Sequence, residues 1–435
     1  MKVLKFGGTS VGTPERMKEV SKLISAAGEQ RIVVLSAMSG TTNALVEIAD
    51  YLSKNNREAA GSLTGQLRRK YAEHVAELYA TAEMKAETLA LLDDIFTTIG
   101  TAPADSEKLI LAQGEIMSTN MVTNYLREQG VRVKLLPALD YMKIDENGEP
   151  VLSTIRHNLK AILENHSDYD LYITQGFICR GPNGEVENLQ RGGSDYTACL
   201  IGAALRTEEI QIWTDIDGMH TGDPRFVEGT TPVRQLNFEE AAELAYFGAK
   251  ILHPTCIQPA RYAGVPVRLL NTMDPSAPGT LINNEMRRGT IKAVAAKDNI
   301  TAVKIVSSRM LLATGFLRKI FEVFEQYKTP VDMVTTSEVG VSLSVDNTSR
   351  LHAIVEELRK VGTVEVDKDM CIVCVVGDLH SDNLGFEARV TEAVKDIPVR
   401  MISYGGSAHN ISLLVRMADK KAALQALNEN LFKQA

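Results

Sequence analysis

The sequence predicts an α/β protein. A mostly parallel sheet with helices on both faces is expected over residues 1–289, followed by two β-α-β-β-α-β modules over 290–435. Three observations carry this. Short β-branched runs alternate with helical stretches in the first part, the pattern of a sheet covered on both faces. An internal repeat fills the C-terminal part. A chain of 435 residues also has the length for two or three domains with real cores.

Strand-like runs fall at 3–6, 31–35, 131–136, 171–174, 210–213 and 265–269, with helical patterns at 14–27, 107–128, 195–205 and 238–247 between them. In such sheets ligands sit beyond the carboxyl ends of the strands, so the loops after strands are where chemistry is expected. The stretch 64–99 is long, helical and charge-rich, and reads as a helical insertion without a motif. The repeat begins at Val331-Asp332-Met333-Val334-Thr335, which returns 68 residues later as Val399-Arg400-Met401-Ile402-Ser403. The first copy reads strand 302–306, helix 315–328, strands 331–335 and 341–345, helix 349–360 and strand 363–366. The second reads strand 371–376, helix 383–396, strands 399–403 and 411–416 and helix 419–432, then stops one strand short. The unassigned run 291–296 is expected to supply that strand. This places the first module, about 302–368, inside the second, about 290–300 plus 369–435, with a linker near 283–289.

Composition excludes several classes. At 44% hydrophobic and 23% charged residues the chain is ordinary for a soluble globular protein. A net charge of -8 argues against a general binder of nucleic-acid backbones. No window approaches the roughly 20 apolar residues of a membrane span. The N-terminal residues turn polar before a signal core forms, so a cytoplasmic protein without membrane contact is expected. Five cysteines make no disulfide scaffold. Cys371 and Cys374 have metal or redox spacing, but they lie in an apolar run without a second pair and read as a buried strand. No protein-held metal site is expected.

The polar loops carry the chemistry. Lys5-Phe6-Gly7-Gly8-Thr9-Ser10 offers backbone N–H groups and a cation after the first strand. Ser36 to Asn43 adds hydroxyls and Gly40 at a helix start, which fits either a polar-ligand site or an ordinary cap by Ser39 or Thr41. Gly114 lies inside an apparent helix, a cost of about 1 kcal/mol that points to close packing or an approaching ligand, and Glu115 beside it suits an ammonium group. Arg191-Gly192-Gly193-Ser194-Asp195-Tyr196-Thr197 couples a carboxylate-gripping guanidinium to a glycine turn. The stretch from Trp213 to Arg225 reads as a nucleotide loop, with Asp215 and Asp217 open to either that role or magnesium ligation. Lys250 in Phe247 to Pro254 suits phosphate as a point charge. Glycines, hydroxyls, lysines and arginines after strands fit phosphoryl transfer, which needs positioning and charge stabilisation more than covalent catalysis.

Taken in order, KFGGTS at 5–10, GTTN at 40–43, GE at 114–115, RGGSDYT at 191–197, WTDIDG at 213–218, TGDPR at 221–225 and FGAKILHP at 247–254 resemble the aspartate kinases, specifically their lysine-sensitive single-function type. The resemblance implies the amino-acid kinase fold, an αβα sandwich, with two C-terminal ferredoxin-like ACT modules. It implies transfer of the γ-phosphoryl of MgATP to the side-chain carboxylate of L-aspartate, the first step toward lysine, threonine and methionine. By motif, Lys5, Gly7, Gly8 and Asp195 are the catalytic set, with Asp195 organising lysines rather than acting as a strong base. Thr42, Glu115, Arg191, Gly193 and Ser194 hold aspartate. Lys5, Thr214, Asp215, His220, Arg225 and Lys250 contact ATP, His220 replacing a tyrosine of the relatives. Met310, Gly315, Phe316, Leu317, Val331, Asp332, Thr336, Ser337 and Glu338 form an effector site for L-lysine, where Ala313 replaces a serine. Modules of this type pair between chains, which implies a homodimer or a dimer of dimers. Three rivals are another kinase on the same fold, a catalytically dead amino-acid sensor, and an NAD dehydrogenase. The last lacks the glycine fingerprint.

Overall fold

The β-branched runs of the first part form strands, and the loops after them lead into helices. The computed structural model describes residues 1–26, 29–189, 192–248, 253–311, 314–380 and 382–432. The chain divides into two compact units, Met1–Met219 with Ile251–Asn284, and His220–Lys250 with Glu285–Ala435. The sequence reading had grouped 220–250 with the first part. Its attachment to the C-terminal residues is long-range: Val294 donates its N–H to Thr221 O (2.8 Å), and Asn410 Nδ2 donates to Glu243 (2.6 Å).

The main-sheet strands of the first unit are β1 (Lys2–Phe6), β2 (Arg31–Leu35), β3 (Val133–Leu136), β4 (Leu171–Gln175), β5 (Glu209–Thr214), β6 (Val267–Asn271) and β7 (Thr280–Asn283). They run in the order β3-β4-β2-β1-β5-β6-β7. All neighbours pair parallel except β6 and β7. The longer helices are α1 (Pro14–Ile24), α2 (Thr41–Ser53), α3 (Arg57–Leu78), α4 (Ala82–Thr101), α5 (Glu107–Glu128), α6 (Leu152–Asn165) and α7 (Gly193–Leu205). Central strand β1 aligns Lys5 with Val34 of β2 and Ile212 of β5. Phe6 stacks on Trp213 at 5.6 Å. The loops after β1, β2 and β5 therefore leave the sheet side by side. The expected single insertion is two helices, α3 and α4, because Thr81 caps a new start by accepting from Met84 N–H.

The second unit contains α8 (Phe238–Tyr246), β8 (Ile291–Val306), α9 (Phe316–Gln326), β9 (Val334–Thr336), β10 (Gly340–Val345), α10 (Leu351–Arg359), β11 (Thr363–Gly377), α11 (Phe386–Ala393), β12 (Val399–Tyr404), β13 (Asn410–Arg416) and α12 (Lys420–Phe432). Its antiparallel sheet runs β9-β10-β8-β11-β13-β12. The runs expected as separate strands at 291–296 and 302–306 are one strand, β8, and those at 363–366 and 371–376 are one strand, β11. The two pair along their whole length, from Ile291 opposite Gly377 to Val306 opposite Thr363. The register shifts between Lys297 and Ile300, where Asn299 and Asp369 take left-handed φ of 60° and 56°. A bulge that tolerates Asn and Asp lets each strand pass from one hydrophobic core to the next without ending. One core gathers Val303, Ile320, Phe324, Leu343 and Ile354. The other gathers Val373, Phe386, Val390, Leu413 and Leu427.

Cys371 and Cys374 are buried in β11, as the apolar run predicts, and all five cysteines are free thiols. Among the described residues no helix is long and apolar enough to cross a membrane, and no cluster of His, Cys, Asp or Glu could hold a metal. The bulge gives a first prediction. Asn299→Val should destabilise the protein by about 1–2 kcal/mol, because a β-branched side chain opposes a left-handed φ, while Asn299→Gly should leave it nearly unchanged. Thermal unfolding of the two variants checks this.

Candidate active site

Two helix starts frame the site, and both lack a side-chain cap. The N-cap of α2 is Gly40 (φ 81°) and that of α7 is Gly192 (φ 79°), each left-handed and neither followed by a capping hydrogen bond. Thr13, Asn56 and Asn237 cap α1, α3 and α8 with their side chains, whereas α9 (Gly315, φ 80°) and α11 (Gly385, φ 86°) start on a left-handed glycine as α2 and α7 do. By residue type Ser39 or Thr41 would cap α2, and Ser194 or Asp195 would cap α7. The structure gives that position to glycine in both places. First-turn N–H groups without a side-chain acceptor, at the positive end of a helix, are suited to an anion.

Lys5 and Asp195 meet between these helix starts. Lys5 Nζ lies 2.7 Å from Asp195 Oδ1, with only 12% and 15% of the two side chains exposed. The contact is an ion pair rather than an aligned hydrogen bond, since Oδ1 is buried and accepts none from the described residues. The glycine turn lies against the next loop. A Cβ on Gly8 would stand 2.6 Å from Ala37 O, and Ser39 N–H donates to Gly8 O at 3.1 Å. Around α7, Gly193 lies against Phe177 and Ser194 against Gly176, while Phe177 N–H donates to Thr197 Oγ1 at 3.0 Å. Arg191 lies outside the described residues.

Glu115 is the buried charge of the site. Gly114 allows α5 to approach, since a Cβ there would stand 2.8 Å from the Ala37 Cβ. The Glu115 side chain is therefore buried (4% exposed) beneath the loop after β2. Its Oε1 accepts the Ala37 N–H at 3.1 Å, and its Oε2 accepts nothing from the described residues. Burial pushes its carboxyl up to about 7, against the opposing pull of the Ala37 N–H. An orphaned buried carboxylate oxygen is costly unless a donor arrives, and a cationic ligand group supplies one. Thr42, in the first turn of α2, is exposed at the same loop.

The residues assigned to ATP divide. Thr214 ends β5 and its hydroxyl closes a local turn with Ile216 (3.2 Å to the carbonyl, 3.3 Å from the N–H). Asp215 is exposed beyond it. Asp217 accepts the Gly279 N–H at 3.0 Å, which makes it a brace rather than the open magnesium ligand that the sequence allowed. His220 and Arg225 belong to the second unit. There His220 Nδ1 lies 3.4 Å from Thr230 Oγ1, and Arg225 forks onto Asp223 (2.6–3.1 Å). Lys250 lies outside the described residues.

The residues expected to bind an effector cluster in the first module of the second unit. Gly315 (φ 80°) caps α9, Phe316 is buried and Leu317 is exposed. Ser307 N–H donates to Val339 O at 2.8 Å, which joins the turn of Met310 to the turn of Thr336, Ser337 and Glu338. Val331 precedes Asp332, whose side chain is 1% exposed. Asp332 Oδ1 accepts from both the Tyr246 hydroxyl (2.6 Å) and Lys297 Nζ (2.8 Å), and Oδ2 accepts nothing from the described residues. Lys297 Nζ also reaches Asp346 (2.9 Å) and sits 4.3 Å from the Tyr246 ring centre. The carboxylate expected to receive an effector ammonium thus already receives one from the chain itself. Ala313 lies outside the described residues. Lys297 and Tyr246 were not singled out from sequence, for their partners are 35 and 86 residues away.

The raised Glu115 carboxyl sets a pH dependence. The folded protein holds its proton to a higher pH than the unfolded chain does, so its contribution to stability is full below pH about 4.5 and is lost as pH rises through about 7. The loss is on the order of 3 kcal/mol. Thermal unfolding from pH 5 to 8 should show this decline in the ligand-free protein, and Glu115→Gln should remove it.

Comparison with known proteins agrees with this geometry. The amino acid kinase family model matches residues 1–271 and an ACT domain model matches residues 373–431. Aspartokinase 1 of Arabidopsis thaliana chloroplasts is 36% identical, over 99% of this chain and 80% of its own. Lysine-sensitive aspartokinase 3 of Escherichia coli is 33% identical over 99% of both chains. The crystal structure of Escherichia coli aspartokinase III with aspartate and ADP matches at a TM-score of 0.83 and 32% identity, covering 99% of this chain and 100% of that one. With its glycine-capped helix starts, its Lys5–Asp195 pair and its buried glutamate, the chain belongs to the amino acid kinase family and, within it, to the aspartokinases.

Proposed function

We propose that this aspartokinase moves the γ-phosphoryl group of MgATP to the side-chain carboxylate of L-aspartate, giving 4-phospho-L-aspartate and ADP. The observation that carries the reading is the unpartnered Glu115 oxygen beneath a loop whose helix start is uncapped. One buried anion and two anion-seeking helix ends suit a substrate with one ammonium and two carboxylates. Glu115 takes the ammonium, while Thr42, Gly193, Ser194 and Arg191 hold carboxylate. The attacking carboxylate is already ionised at neutral pH, so the reaction needs no general base. Asp195 instead holds Lys5, whose ammonium balances the charge that develops on the transferring phosphoryl group. Magnesium arrives with ATP as part of the substrate, its coordination completed largely by phosphate and water. Thr214 and Asp215 are assigned to the nucleotide.

The same reading gives the second unit an inhibitory site for L-lysine at Asp332 and Glu338. What supports it is that Asp332 holds an ammonium, that of Lys297. Free lysine competes with Lys297 for this carboxylate. The edge strands β9 and β12 expose Val334, Ile402 and Tyr404, which suits pairing with a second copy in a homodimer or a dimer of dimers.

The test is purified protein with MgATP and L-aspartate, the acyl phosphate trapped by hydroxylamine. Aspartyl hydroxamate formed in step with ADP supports the reading, and its absence while another amino acid is consumed replaces it. Lys5→Ala should lower kcat about 100-fold or more with KM for ATP changed little. Lys297→Met should lower the lysine concentration for half-inhibition about tenfold, since it removes the internal competitor. Unchanged inhibition would move the effector site away from Asp332.

A further inference from the structure

Helix α3 lies in the stretch without a motif, yet three residues on one of its faces touch both loops of the candidate site. Tyr71 is completely buried, with its hydroxyl 2.9 Å from Thr41 Oγ1, the first residue of α2. Lys70 Nζ donates to Ser39 O at 3.2 Å and stands nearest to where a Cβ on Gly40 would lie, at 4.0 Å. His74 Nδ1 is 2.8 Å from Lys70 O, and its Nε2 is 3.3 Å from Gly12 O. One turn of α3 thus reaches the loop after β1 and the loop after β2.

The helix is well placed to act as a reference. Asn56 caps its start, Lys18 of α1 donates to Glu77 O at 2.9 Å near its end, and Phe96 of α4 meets the Tyr71 ring edge-on at 6.0 Å. The loop it touches needs such a reference, for the glycine cap of α2 provides no side-chain anchor. Tyr71 also senses the site electrically. Burial raises its hydroxyl pKa, and the charge of Glu115 adds to that rise. No carboxylate pairs with Lys70 among the described residues, so its ammonium is a cation at the rim beside the exposed Ser39, Gly40 and Thr42.

We propose that α3 is a functional wall of the aspartate site: Tyr71 is a positioning residue that fixes Thr41, and through it Thr42 and the start of α2, while Lys70 is a binding residue that favours a substrate with two carboxylates. The inference rests on the assignment of this site to aspartate. A hydroxyl locked against a buried ring holds the loop in its binding geometry before substrate arrives, which lowers the ordering cost of binding.

The test compares the full-length chain with Tyr71→Phe, Lys70→Met and Lys70→Arg, reading kcat, KM for aspartate, KM for ATP, aspartate affinity by titration, and thermal unfolding. Tyr71→Phe keeps the ring and loses one hydrogen bond. It should raise KM and Kd for aspartate about fivefold while kcat and KM for ATP stay within twofold. Lys70→Met should do the same and flatten the dependence of aspartate KM on salt, and Lys70→Arg should restore both. A lower melting temperature with both KM values unchanged, or with both raised together, would make α3 a packing element and overturn the inference. Wild-type protein that neither binds nor phosphorylates aspartate would overturn the assignment of the site, and this inference with it.

Discussion

The 2.7 Å contact between Lys5 and Asp195 joins the centre of the sheet to the start of a helix, and the rest of the site is arranged around it. Lys5 belongs to β1, flanked in parallel register by β2 and β5. Asp195 stands in the first turn of α7. Because the strands are parallel, the loops that follow β1, β2 and β5 all open at the same edge of the sheet. An ammonium held there by a carboxylate keeps its position while a polyanion passes over it. The reaction needs that more than it needs a proton acceptor.

A second constraint is electrostatic balance around largely buried charges. Two helix starts without side-chain caps offer partial positive charge, and one buried carboxylate lacks a donor for one oxygen. Each is unfavourable in an empty protein and favourable with a zwitterionic dicarboxylate present. The protein stores this imbalance in elements braced from behind, with α5 brought close by Gly114 and α3 fixed through Lys18, Asn56 and Phe96. The second unit treats charge differently. There Asp332 is paired with the ammonium of Lys297 and accepts the Tyr246 hydroxyl, so the carboxylate is buried with partners from the chain itself.

Much of this is legible in the sequence, because strand-end chemistry is local. The glycines, hydroxyls and lysines after β1 and β2 follow their strands directly, and six of the strands fall within about two residues of their expected bounds. What escapes is set by distant partners. Asn299 and Asp369 look like strand breaks but are bulges inside continuous strands, because β8 and β11 pair on both sides of them. The bonds of segment 220–250 to Val294 and Asn410 also span distances that no local pattern shows, although the amino acid kinase family model includes this segment. The caps of α2 and α7 fall to glycine although Ser, Thr and Asp stand next to them, since Thr41 turns to Tyr71, Ser194 packs on Gly176 and Asp195 meets Lys5. Helix α3 shows only a core stripe of Leu67, Tyr71, Val75 and Leu78. Nothing in that spacing tells that Tyr71 reaches a hydroxyl 30 residues away.

The claim at the centre is that Glu115 waits, about half protonated at neutral pH, for the ammonium of the substrate. Its carboxyl lies at about 7 in the ligand-free protein, and an ammonium within hydrogen-bond reach lowers it. Calorimetric titration at pH 7 in buffers of different ionisation enthalpy measures the protons exchanged on binding. Aspartate should release about half a proton per site, while succinate, which lacks the amino group, should bind weakly and release none. Aspartate binding without proton release, or succinate binding as tightly as aspartate, would contradict the account.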